Sequence, residues 1–128
     1  MTGDKNQYIH QWLSKANEDL LVVHQLINAD SIALGVIGFH CQQAAEKFLK
    51  AFLIYHDIEP PRTHNLEFLL ELCAEIEKKF SEVDSLNLTD YGVQARYPGD
   101  YLVPCRNELN EFIRIVEHIR ELVNQKID

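Results

Sequence analysis

Apolar side chains recur at steps of three and four along almost the whole chain, the spacing of one face of an α-helix. Ile9, Leu13, Ala16, Leu20, Val23 and Ile27 form the first stripe. The run from Asn28 to Ser31 interrupts it with cap-forming residues, and Asp30 or Ser31 stands ready to N-cap the next helix. That second helix is expected from about Ile32 to about His56. It is apolar over more than half its circumference, as the central helix of a bundle should be. Pro60 and Pro61 cannot continue it. Thr63, with Asn65 as rival, caps a third helix whose Leu66, Leu69, Leu70, Cys73, Ile76 and Phe80 share a face. The run from Ser81 to Asp84 fits a capping box and predicts a short fourth helix ending near Arg96. Tyr97 to Asp100 is a turn signal, and Pro104 suits the first turn of a last helix. Leu109, Phe112, Val116, Ile119, Val123 and Ile127 are in register there. There is no β-alternation, repeat or low-complexity stretch. The expected fold class is all-α: an antiparallel up-and-down bundle of four to five helices, one domain over residues 1–128.

A polar cluster crosses the apolar second helix. His40, Gln43, Lys47 and Lys50 fall on one stripe, while Cys41, Ala45, Phe48 and Phe52 fall on the one that faces a core. Two readings stand side by side. In one, His40, Gln43 and Lys47 bind a nucleotide or RNA phosphate, with Lys47 as point charge and His40 as donor or acid/base. In the other, Lys47 and Lys50 are solvated and Glu46 pairs with Lys50 at i, i+4. Gln42 and Gln43 need hydrogen-bond partners on a buried helix, and a dimer interface would also supply them.

Two further spots carry candidate chemistry. Arg62 and His64 precede a helix N-terminus, where free N–H groups favour anions; an ordinary capped loop explains them equally well. Arg96 ends a predicted helix, either complementing its carbonyl end or gripping a phosphate. Tyr91, Tyr97 and Tyr101 nearby suit base stacking or corner packing.

Composition narrows the classes. The hydrophobic content of 46% fits a folded soluble protein rather than a disordered one. The net charge of −8 opposes general coating of nucleic acid, though local basic spots remain. Cys41, Cys73 and Cys105 form no CxxC pair, so neither a disulfide framework nor a zinc knuckle is suggested. With no apolar leader and no stretch long enough to cross a bilayer, the expectation is a cytoplasmic protein without membrane contact. No Glu-x-x-His pair, P-loop, GxGxxG or GxSxG occurs, so neither a metal nor another cofactor is expected.

The ordered set His40-x-x-Gln43-Ala-Ala-Glu-Lys47, then Pro61-x-Thr63-His64-Asn65-Leu66, then Ala95-Arg96-Tyr97-Pro98 resembles the HEPN domain (higher eukaryotes and prokaryotes nucleotide-binding). Trp12, Ala16, Asp19 and Leu20 resemble its usual first helix. The resemblance covers nearly the whole chain. It implies a homodimeric helical bundle of the stand-alone prokaryotic type, encoded beside a minimal nucleotidyltransferase and acting with it as a toxin–antitoxin pair. It implies nucleotide or RNA binding, with His40, Gln43, Lys47, His64, Arg96 and Tyr97 as the ligand-binding residues.

Many members are metal-independent ribonucleases marked by an arginine followed shortly by a histidine. That chemistry needs a base for the 2′-OH and a cation for the phosphorane charge. Here the positions after Arg96 hold Tyr101, Leu102 and Val103; those after Arg106 hold Glu111, Phe112 and Ile113; those after Arg62 hold Glu67, Phe68 and Leu69. Arg114 and His118 come close but lie opposite the apolar stripe of the last helix. The expectation is a nucleotide-binding partner protein with no catalytic residues. A ribonuclease toxin with a non-standard site and a non-catalytic dimeric scaffold are the alternatives.

Overall fold

The computed structural model describes residues 3–92 and 103–127. Four α-helices, and no strand, occur among the described residues: α1 (Gly3–Asn28), α2 (Leu34–Tyr55), α3 (Leu66–Ile76) and α4 (Arg106–Lys126). Arg96, Tyr97 and the turn expected at Tyr97 to Asp100 lie outside the described residues.

The helix α2 is the centre, as its wide apolar face requires. Ile37, Cys41, Ala44, Ala45, Phe48, Leu49, Phe52 and Leu53 are fully buried on it. The α1 stripe covers one flank through Ala16, Leu20 and Val23, and the α4 stripe another through Leu109, Phe112, Val116, Ile119 and Val123. Polar ties fix the directions. Asp19 meets Lys47 and Lys5 meets Asp57, so α1 runs antiparallel to α2. Arg106 meets Asp30 and Arg120 meets Asn17, so α4 is antiparallel to α1 and runs with α2. The link over 56–65 doubles back along α2. It delivers His64 beside Gln42 and Glu46, after which Cys73 reaches the Leu49 carbonyl and Phe80 packs on Phe52.

Helix ends depart from the sequence reading in five places. Neither Asp30 nor Ser31 caps α2. Asp30 takes a left-handed conformation (φ 55°), and Ala33 holds the N-cap position while the Ser31 hydroxyl accepts from its N–H. Asn65 wins over Thr63 as the α3 cap, accepting from Phe68 N. The third helix stops at Ile76. Phe80 still reaches the core, but from a 3₁₀ turn over Lys78–Glu82. The predicted fourth helix is not formed over the described residues 81–92. Ser81 and Asp84 spend their side chains on local bonds, to the Lys78 carbonyl and from Leu86 N, and a second 3₁₀ turn over Leu88–Gly92 follows. Pro104 lies just outside α4, whose N-cap is Cys105.

Candidate functional site

The polar stripe of α2 is a seam rather than a solvated face. Its successive residues turn around the helix from α1 toward the start of α3. At the α1 edge, the buried carboxylate of Asp19 holds two groups of α2: His40 Nδ1 at 2.8 Å and Lys47 Nζ at 2.7 Å. At the α3 edge, the buried carboxylate of Glu46 accepts from Lys50 Nζ at 3.0 Å and from His64 Nδ1 at 2.7 Å. Each carboxylate thus binds one lysine and one imidazole. A carboxylate only accepts, so each ring carries its proton on Nδ1 and keeps Nε2 for another partner.

Gln42 closes the seam. It is fully buried, donates Nε2 to the His64 carbonyl at 2.9 Å and to Glu46 at 3.3 Å, and accepts at Oε1 from Gln43 Nε2 at 2.7 Å. Gly92 presses on this amide: a Cβ there would stand 2.6 Å from Gln42 Cδ. The Lys50 ammonium, nearly enclosed, also lies 5.7 Å from the centre of the Trp12 ring.

Of the residues expected to act together, His40, Gln43, Lys47 and His64 are gathered on or beside α2. His40 and His64 sit on opposite flanks, each with its own carboxylate. The solvated reading of Lys47 and Lys50 does not hold. Their i, i+4 and cross-helix partners are buried carboxylates, and Lys50 itself is only 9% exposed. The N-terminus of α3 offers less to an anion than its position suggested. Leu66 N is taken by the Thr89 hydroxyl and Phe68 N by Asn65, and Glu67 adds negative charge while accepting from Ser85 and Thr89. Arg62 is exposed beside it. Arg114 and His118 are exposed on α4, as expected.

Sequence reasoning missed the anchors. Asp19 falls within the apolar stripe of α1, between Ala16 and Leu20, and a carboxylate at a core-facing position was its signal. Glu46 was visible only as a local partner of Lys50. Nothing in the sequence marked Gly92 or Thr89, whose contacts come from distant segments. No group of His, Cys, Asp and Glu able to hold a metal occurs among the described residues, and no described helix is long and apolar enough to cross a membrane.

A family model described as the HEPN domain matches residues 9–126, and the chain belongs to that family. The domain is of a general nucleotide-binding or ribonuclease type. No curated protein and no solved structure matches the chain.

Proposed function

We infer that this chain is a non-catalytic, nucleotide-binding HEPN protein that works in the cytoplasm as a homodimer. Its partner is a minimal nucleotidyltransferase, in a toxin–antitoxin-like pair. The carrying observation is the state of the seam. Lys47 and Lys50 are neutralised by Asp19 and Glu46, so no free lysine there is left to stabilise a pentacovalent phosphorane. His64, 63% exposed and held through Nδ1, presents its other nitrogen as an oriented ligand contact. His40, Gln43 and Lys47 extend that surface along α2, and Arg96 and Tyr97 add a phosphate grip and a ring in this reading. Exposed Ile32, Val36 and Val103 supply apolar area for a second copy. The nucleotidyltransferase partner rests on the sequence resemblance alone. Calorimetric titration with ATP, GTP and short RNA tests the binding: saturable heat that is lost in Lys47→Ala and Arg96→Ala supports it, and absence of heat with every ligand overturns it.

One observation favours the ribonuclease reading as second. Asp19–His40 and Glu46–His64 are carboxylate–imidazole pairs, an arrangement that orients a general base. A metal-free cleavage assay decides. Cleavage lost in His64→Ala supports the enzyme, and equal cleavage by both proteins points to a contaminant.

A further inference from the structure

The chain has one tryptophan, and it is not in the core. Trp12 lies half-buried on α1, at the edge of the α2 seam. Tyr8, one turn earlier and 41% exposed, meets it edge-on at 6.2 Å between centroids and 71° between planes. The Lys50 ammonium stands 5.7 Å from the indole centre. That ammonium is nearly enclosed and tied to Glu46, so it marks the protein side of the indole, while the ring as a whole stays partly exposed.

We propose that the outward face of Trp12, walled by Tyr8, is a stacking surface for an unpaired nucleobase of a nucleotide or single-stranded RNA. This rests on the nucleotide-binding reading above and adds to it a place for the base.

Three physical points carry it. An indole offers the largest π-face of any side chain, and stacking on it tolerates every base. A cation on one side of the ring draws its electron density inward, which favours an electron-rich base on the other. The position also fits a nucleotide's length. Tyr8, Trp12 and Asp19 share one stripe of α1, and Asp19, with its His40 and Lys47, lies about 10 Å beyond Trp12 along the helix. A base on Trp12 therefore directs its sugar and phosphate along the seam, past Gln43. The second N–H and the carbonyl oxygen of that amide have no partner among the described residues.

The single tryptophan makes the test direct. AMP, GMP, CMP, UMP and short oligo(A) and oligo(U) are titrated while Trp12 emission is followed, with calorimetry in parallel. Saturable quenching with the calorimetric midpoint is expected. Trp12→Leu is expected to weaken binding about tenfold and Trp12→Phe by less. Should Trp12→Leu fail to fold, the emission of the unaltered protein and the affinity of Trp12→Phe decide. Binding heat with unchanged emission and unchanged affinity in the Trp12 variants overturns the stacking surface and leaves nucleotide binding standing. No heat with any ligand overturns both.

Discussion

His64 donates its Nδ1 proton to Glu46 at 2.7 Å, across 18 positions of the chain, from the link before α3 to α2. The same carboxylate neutralises Lys50, and both members of that pair are nearly closed to solvent. Glu46 therefore anchors a cation, an imidazole and the link that starts α3. Glu46→Ala strands the Lys50 charge in the interior and is expected to cost about 3–5 kcal/mol in urea unfolding. Glu46→Leu combined with Lys50→Met removes both charges and is expected to recover most of that loss. A double variant as unstable as the single one would contradict this assignment.

Gly92 and Gln42 form a second close relationship. A methyl group at Gly92 would stand within 2.9 Å of three atoms of the Gln42 amide, and that amide is fixed by bonds to His64, Glu46 and Gln43. Gly92→Ala is expected to destabilise by about 1–3 kcal/mol. Gln42→Ala opens the space, so the double variant should lose less than the sum of the two changes. Strict additivity in chemical denaturation would show that the two residues do not touch.

The three cysteines differ sharply. Burial pushes the Cys41 thiol up to about 12, with the Glu117 charge adding to it, and burial alone does the same for Cys73. Cys105 is exposed at the start of α4. A thiol-reactive chromogenic reagent at neutral pH should modify Cys105 quickly and the other two only on unfolding. Rapid reaction of all three in the native protein would contradict the packing of α2.

His56 makes the fold sensitive to mild acid. Its ring lies against Phe52, and its Nε2 is buried with no hydrogen-bond partner among the described residues. Burial, then the Lys5 charge, lowers its pKa below the ordinary 6.5, with Asp57 opposing. The unfolded chain then takes up this proton at a higher pH than the folded one. Its contribution to stability is fully present above about pH 6.5 and shrinks as the pH falls toward the depressed value. Tm measured across that window should fall less steeply in His56→Phe than in the unaltered protein. Parallel curves would remove His56 from the account.

Much of the architecture was legible because it follows from periodicity. The stripes on α1, α2 and α4 appear in the core almost residue for residue, since one face of each helix must leave water. The segment between Ile76 and Gly92 was not legible. Ser81 and Asp84 look like helix starters, yet their side chains close local turns instead, and only tertiary contact decides between the two. The site was half legible. His40, Gln43, Lys47 and His64 announced themselves as polar groups near an apolar helix. What they bind to inside the fold did not, because Asp19 and Glu46 reach them across elements. The seam's electrostatics follow from those two carboxylates, and they turn an apparently basic stripe into a neutral one.

The central claim is that the α2 seam is a nucleotide-binding surface. Amide and imidazole NMR spectra recorded while ATP is added test it most directly. The account predicts saturable shifts of His40, Gln43, Lys47 and His64, in step with one another. Shifts confined to another surface, such as the cleft of about 440 Å³ along Glu117, Arg120 and Gln125 of α4, would contradict it, and so would no shift at all.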